Sequence, residues 1–181
     1  MATIQKDISL RGISLLLFLM SLMFGIILIT KGHYTINVSP SMELGIYKLY
    51  DIDTLERGDV VYTAIPTDIK ETLLERQYIF SENINHFIKR IAAVPFDDVK
   101  VKDKYVWVND NLYPMSYIKD YDSEGKILNS KLRNGTISEK EYLLLGDTLD
   151  SYDSRYWGTV HEKYILKKAK KIFQGVKNED E

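Results

Sequence analysis

The rhythm of hydrophobic positions changes once along this chain. From Gly12 to Thr30 no charged residue interrupts an apolar run, and the only hydroxyls in it are Ser14, Ser21 and Thr30. At 1.5 Å per residue these 19 residues reach about 28 Å, enough for a hydrocarbon core of roughly 30 Å with slight local adjustment. The run has no polar face, which argues against a helix buried in a globular core. It predicts a transmembrane anchor over 12–30 after a cytoplasmic tail over 1–11. Lys6 and Arg11 favour an inside N-terminus, although Lys31 on the far side weakens the asymmetry. A cleaved leader would have a shorter apolar core and an Ala-x-Ala site, whereas the next alanine downstream is Ala64. A retained anchor predicts a single-pass protein of the cytoplasmic (inner) membrane, with residues 31–181 on the extracytoplasmic or periplasmic side.

Beyond the anchor the pattern is mainly β. Tyr47–Tyr50, Asp59–Ile65, Ile88–Val94, Val99–Val101, Tyr105–Val108 and Tyr142–Leu145 are short, apolar and rich in β-branched or aromatic residues. Turn formers separate them, at Arg57-Gly58-Asp59, Pro95-Phe96-Asp97-Asp98 and Asn109-Asp110-Asn111. Ile69–Arg76 is the best short helix. A polar excursion around 110–141, densest from Met115 to Lys140, reads as a small cap or a loop. In the tail, Ile165, Ala169, Ile172 and Phe173 suit a helical stripe with Lys167, Lys168, Lys170 and Lys171 opposite. Those lysines read as a solvated face or as a contact with anionic lipid headgroups. A final strand is the other shape open to this tail.

Composition narrows the chemistry. A formal net charge of −2 lacks the basic footprint of a nucleic-acid binder, so no nucleic-acid partner is expected. The absence of cysteine excludes disulfides, thiol catalysis and thiolate metal sites. The three histidines, His33, His86 and His161, are far apart, so neither a metal nor any other cofactor is expected.

Three segments could carry chemistry. Ser39-Pro40-Ser41-Met42-Glu43-Leu44-Gly45-Ile46-Tyr47 begins just past the apolar run. Ten residue steps separate Thr30 from Ser41, which keeps that serine within about 35 Å of the membrane edge even with the chain extended. By itself such a segment is an ordinary loop. In His86-Phe87-Ile88-Lys89-Arg90-Ile91, strand alternation puts Lys89 on the face of Phe87 and Ile91, opposite Ile88 and Arg90. A lysine there is either an edge-strand guard or a buried amine that must be neutral or paired. The third segment runs from Gly146-Asp147-Thr148 to Ser151-Tyr152-Asp153-Ser154-Arg155-Tyr156-Trp157-Gly158. Its aspartates, Asp147, Asp150 and Asp153, fall every third residue, which fails the every-second-residue spacing of a calcium loop. A hydrogen-bonded turn with an Asp–Arg pair fits better.

Together and in this order, the anchor and these three segments resemble the type I signal peptidases. The match through Ser151–Gly158 is the most specific part. The resemblance implies a signal-peptidase-like β-sheet or barrel domain, and a serine endopeptidase that removes signal peptides from exported precursors. It implies Ser41 as nucleophile, Lys89 as general base and Ser151 as the hydroxyl that orients the amine. Ser39 would supplement the Ser41 N–H in an oxyanion hole, with Asp147, Asp153 and Arg155 as structural support. The expected partners are membrane-bound precursors and the lipid bilayer. The chain departs from the housekeeping pattern Ser-Met-x-Pro-Thr, carrying Leu44-Gly45 instead. Ser41, Gly45 and Tyr47 look like the Ser-x-Pro-x-Gly-x-Tyr of conjugative-transfer signal peptidases, with Glu43 in place of the proline. Phe96 replaces a usual glycine and Thr148 a usual asparagine. A substrate dedicated to a conjugation or secretion system, such as a pilin precursor, is therefore one expectation.

The implied chemistry asks much of Lys89. An exposed lysine is neutral only about once in 2,500 at pH 7, and lowering its pKa to about 7 takes roughly 4.6 kcal/mol. Apolar neighbours can supply this by desolvation. A rival of another class is a catalytically inactive anchored scaffold of a secretion or conjugation complex. That reading predicts missing catalytic groups, and all three are present. Self-cleaving repressors use similar Ser-Lys chemistry but would need a DNA-binding domain where this chain has its apolar run.

Overall fold

The structure is a computed structural model that describes residues 10–30 and 32–172. Lys6, Lys31 and Phe173 lie outside the described residues. The chain divides into two compact units, Met1–Tyr34 and Thr35–Glu181. In the first, the apolar run forms helix α1, Leu10–Thr30. Its described side chains run from 12 to 25 and are nearly all exposed. Among the described residues no helix is long and apolar enough to cross a membrane.

The second unit is mainly β. Strand β1 (Tyr34–Asn37) enters it, followed by β2 (Gly45–Tyr50), β3 (Val60–Ala64), helix α2 (Thr67–Glu75) and β4 (His86–Ala93). Then come β5 (Asp98–Lys102), β6 (Tyr105–Val108), β7 (Asn111–Leu112), β8 (Gly135–Thr136) and β9 (Glu141–Leu145). A one-turn helix α3 (Ser154–Trp157), β10 (Val160–His161), a 3₁₀ turn and β11 (Ile165–Lys171) complete it. The larger sheet has the order β1-β2-β11-β3-β4-β9-β10, and the smaller has β7-β6-β5-β8. All six strands expected from apolar alternation form, with Tyr105–Val108 unchanged and no end shifted by more than two residues. The short helix starts two residues early, directly after Pro66, which serves as its N-cap.

The ambiguous tail is a strand. β11 pairs antiparallel with β2 on one side and β3 on the other. Ile165 and Ala169 face the core, while the lysines meet acids from distant loops: Lys167 with Asp51, Lys168 with Asp53 and Asp59 at 3.0 Å each, and Lys171 with Glu43 at 3.3 Å. Ladder hydrogen bonds on both sides outweigh the helical spacing of four apolar residues. The polar excursion is likewise anchored. Ile118, Leu132 and Ile137 pack with Ala92, Val99, Val106 and Leu143 in the core between the sheets. Arg76 and Tyr78 tie its tip down through the Ile127 carbonyl and Asp122.

Turn chemistry sets the hairpins. Asp103-Lys104 and Asn109-Asp110 are successive positive-φ pairs, as the tight turns β5–β6 and β6–β7 require. At the turn after β4, Asp97 N–H donates to the Val94 carbonyl at 3.1 Å, with Pro95 and Phe96 central. Phe96 has φ +71°, where a type II turn wants glycine, and its ring is 73% exposed. Little packing repays that backbone cost. Phe96→Gly should therefore raise the unfolding free energy by about 1 kcal/mol in denaturant melts. A loss of stability would show that the exposed ring makes a contact that matters.

Candidate active site

Ser41 sits in the turn between β1 and β2. Its neighbour Met42 is buried against Tyr47, Leu49, Ile88 and Ala169, which plugs the turn into the sheet. Tyr47 Oη donates to the Glu43 carbonyl at 2.8 Å. Gly45 has φ +139° and leaves room for Lys171, whose Cε would lie 3.1 Å from an added Cβ. The departure from Pro-Thr at 44–45 thus has a local reason. The chain turns here through a glycine conformation and lets a β11 lysine reach Glu43. Ser41 Oγ lies 3.1 Å from Ser39 Oγ, and the Ser41 N–H points at the same oxygen at 3.4 Å.

Lys89 lies in the middle of the large sheet, on β4 between β3 and β9, and is 2% exposed. Its Nζ donates to Ser151 Oγ at 2.8 Å and lies 5.5 Å from the centre of the Phe87 ring. Burial pushes its pKa down from 10.5 to about 8. Asp153 and Asp147 pull the other way and Arg155 adds to the depression. At pH 7 that makes the amine neutral about once in ten, rather than once in thousands.

Ser151 is aimed by the loop that carries it. Asp153 and Arg155 form an ion pair in which both side chains are 0% exposed. Asp153 Oδ1 accepts from Arg155 Nε at 2.8 Å, and Oδ2 accepts from Nη2 at 2.8 Å and from the Gly146 N–H at 2.8 Å. The guanidinium also donates to the carbonyls of Thr148 (2.9 Å) and Ser151 (2.9 Å), and to those of Met115 (3.1 Å) and Tyr117 (3.2 Å). The Ser151 backbone is thereby fixed beneath Lys89.

Asp147 does not join that pair. It takes a two-pronged contact from Arg90, Nε to Oδ1 at 2.8 Å and Nη2 to Oδ2 at 2.7 Å. Its own N–H donates to the Ser41 carbonyl at 2.8 Å. Arg90, which strand alternation sets opposite Lys89, thus reaches the Ser41 turn through Asp147. Sequence reasoning gave it no role; the acid next to an obligatory glycine was the signal available. Gly146 is obligatory because an added Cβ would lie 2.3 Å from Ser151 Oγ and 2.7 Å from the Ser41 carbonyl.

Ser39, Ser41, Lys89 and Ser151 line one cleft of about 730 Å³, walled further out by Phe87 and Tyr152. Among the described residues the Ser41 hydroxyl is hydrogen-bonded with the Ser39 hydroxyl, and the Lys89 amine donates to Ser151 Oγ. No three His, Asp or Glu side chains among the described residues come together as a metal site. A hydroxyl, a buried amine with a lowered pKa and neighbouring N–H and O–H groups at one cleft are the components of acyl transfer.

Residues 9–174 match the family model described as signal peptidase, peptidase S26, and the chain belongs to that family. It is a serine peptidase of the signal peptidase class with relatives in conjugal transfer. It is 28% identical over 151 residues to the conjugal transfer protein TraF of Agrobacterium tumefaciens (strain 15955), covering 78% of this chain and 83% of that one. It is 30% identical over 148 residues to the probable conjugal transfer protein TraF of Sinorhizobium fredii, covering 78% and 77%. It is 32% identical over 124 residues to the probable signal peptidase I-2 of Synechocystis, covering 66% and 49%. A solved signal peptidase I from Enterococcus faecalis V583 aligns at 19% identity and TM-score 0.37, over 64% of this chain and 96% of that one.

Two expectations follow from this geometry. The unfolded chain holds a proton on Lys89 up to pH 10.5, whereas the folded amine releases it near pH 8. The unfolded state therefore binds more protons between those values, so Lys89 lowers stability fully below about pH 8, and the cost fades toward pH 10.5. Lys89→Met should stabilise the fold at pH 7 by on the order of 1–3 kcal/mol, with the gain shrinking toward pH 10.5 in pH-resolved melts. A gain that does not depend on pH would remove burial of the charge as its cause. Gly146→Ala should lower turnover at least tenfold, through the backbone shift that its Cβ forces on Ser41 and Ser151. Unaltered turnover would mean that the two serines tolerate that shift.

Proposed function

We propose that the chain is a membrane-anchored serine endopeptidase that removes signal peptides from exported precursors with Ser41 as nucleophile and Lys89 as general base. One observation carries the reading: Lys89 is a buried, pKa-depressed amine, hydrogen-bonded to Ser151, in the cleft that Ser41 lines. In this mechanism Ser41 Oγ turns from Ser39 toward Lys89, gives its proton to the neutral amine and attacks the scissile carbonyl carbon. The Ser41 N–H and the Ser39 hydroxyl take up the oxyanion. The Lys89 ammonium then protonates the departing amine, leaving an acyl-enzyme on Ser41. A water, deprotonated by the same lysine, releases the new C-terminus.

Anchoring over 12–30 would put this cleft on the extracytoplasmic side of the cytoplasmic membrane, where precursors emerge from the bilayer. The helical form and exposed apolar side chains of α1 support burial of that segment in an apolar environment, and the side on which the cleft lies rests on the charges before it. The names of the TraF relatives, with Gly45 and Tyr47, favour a dedicated substrate such as a pilin precursor of a conjugation or secretion apparatus. A general secretory precursor is the alternative within the same chemistry.

The test uses the full chain in detergent with a candidate pilin precursor and a general secretory precursor. Ser41→Ala and Lys89→Ala should each lower cleavage at least a thousandfold. Wild-type kcat/KM should climb about tenfold per pH unit toward a plateau above about pH 8, because only the free amine is the base. Faster cleavage of the pilin precursor supports dedication. Activity retained by either variant sinks the dyad, and a wild type that cleaves neither precursor favours an inactive scaffold.

A further inference from the structure

The nucleophile turn is held by a side chain outside the three motif segments. Asn37, the last residue of β1, is 8% exposed. Its Nδ2 donates to the carbonyls of Ser39 at 2.9 Å, Met42 at 3.1 Å and Glu43 at 3.0 Å. Its Oδ1 accepts the Ser39 N–H at 3.2 Å. One carboxamide thus spans the turn on both sides of Ser41. The Ser41 carbonyl is taken separately by the Asp147 N–H, and the Glu43 carbonyl is shared with Tyr47.

These contacts have a consequence for charge stabilisation. The carbonyls of Ser39, Ser41, Met42 and Glu43 are all engaged by donors within the protein. The Ser39 N–H is also consumed by Asn37. What remains at the cleft is the Ser41 N–H and the Ser39 hydroxyl, adjacent groups whose 3.4 Å contact, N–H to Oγ, an incoming substrate oxygen would replace. Only a donor-rich, acceptor-poor turn can receive an oxyanion without repulsion from nearby carbonyl oxygens. An asparagine suits this because its NH₂ serves carbonyls while its oxygen serves an N–H, and it carries no charge to shift Lys89.

We infer that Asn37 is a positioning residue for the oxyanion site, acting by turning the backbone of 39–43 so that Ser41 N–H and Ser39 Oγ face the substrate carbonyl. This rests on the Ser41–Lys89 reading of the site. Asn37 touches no reacting atom. Its effect is on turnover rather than on substrate affinity or on the ionisation of the base.

Asn37→Asp is the informative substitution, since it keeps shape and the acceptor for Ser39 N–H but sets an oxygen against three carbonyls. Asn37→Ser, which restores a short donor, is the milder companion and decides the matter where the aspartate variant does not fold. Both are compared with wild type and Ser41→Ala in the full chain in detergent, by precursor cleavage and by labelling with an acylating active-site probe. The expected result is a 10- to 100-fold loss of kcat for Asn37→Asp and a smaller loss for Asn37→Ser. KM should stay within about threefold in both variants, the pH midpoint of kcat/KM should stay unmoved in the uncharged Asn37→Ser, and probe labelling should slow in step with kcat. Wild-type kcat in a folded Asn37→Asp or Asn37→Ser enzyme overturns the inference, as does a loss confined to KM or to the pH midpoint. Cleavage that survives Ser41→Ala overturns the dyad itself, whereas a dead Ser41→Ala beside fully active Asn37 variants removes only the role given to Asn37.

Discussion

The fully buried pair of Asp153 and Arg155 organises the functional end of the molecule. Neither charge meets water, so both must be satisfied within the protein. The carboxylate spends its four contacts on the guanidinium, on the Arg155 N–H and on the Gly146 N–H. The guanidinium spends its remaining donors on carbonyls of the 148–151 loop and of the excursion at Met115 and Tyr117. Both ends of the loop that carries Ser151 are thereby tied to one ionic centre. Removing either partner would strand the other in the interior, at a cost of about 3–5 kcal/mol. A pair of apolar residues of similar volume could hold the fold as well. It could not hold the carbonyls of Met115, Tyr117, Thr148, Leu149 and Ser151 and the Gly146 N–H in fixed directions, and those directions are what aim Ser151 at Lys89.

A second layer links that centre to the nucleophile. Gly146 N–H is held by Asp153, and the next residue, Asp147, holds the Ser41 carbonyl while receiving Arg90. Lys89 and Arg90 are neighbours on β4 with opposite fates. One is buried against Phe87 and Ser151 with its pKa lowered, and the other is charged, half-exposed and paired. Strand alternation gives this division at no extra structural cost. It lets one strand serve the base and the nucleophile turn from its two faces.

Most of the fold was legible in the sequence because its strands alternate and its turns carry Gly, Pro, Asn and Asp at the right places. The tail was not. Lys167, Lys168, Lys170 and Lys171 look like the wet side of a helix, yet Lys167, Lys168 and Lys171 pair with acids more than a hundred residues away at Glu43, Asp51, Asp53 and Asp59. At the site, the roles given to Ser41, Lys89 and Ser151 came from resemblance, since each residue alone reads as ordinary. The buried setting of Lys89 could be argued from Phe87, Ile88 and Ile91. Its nearness to Ser151 could not, because 62 residues separate the two in the chain. Asn37 and Arg90 were invisible for the same reason: their importance lies entirely in which distant backbone groups they meet.

The depressed pKa of Lys89 and the rigidity around Ser41 are two sides of one constraint. A serine–lysine site needs an amine that is dry enough to lose its proton, and so cannot be solvated while it waits. Such an amine lowers the stability of the sheet that buries it, by an amount that grows with the depth of the pKa shift. It also cannot be oriented by a nearby carboxylate without being driven back toward the ammonium form. A neutral hydroxyl is the partner compatible with both demands, and Ser151 is such a partner at 2.8 Å. The charges needed to fix that hydroxyl, Asp153 and Arg155, are therefore set behind it as a closed pair, where they act on Lys89 in opposite directions. The same logic makes a neutral carboxamide, Asn37, the suitable support for the Ser41 turn. An ionic support in that position would either repel the oxyanion or perturb the base.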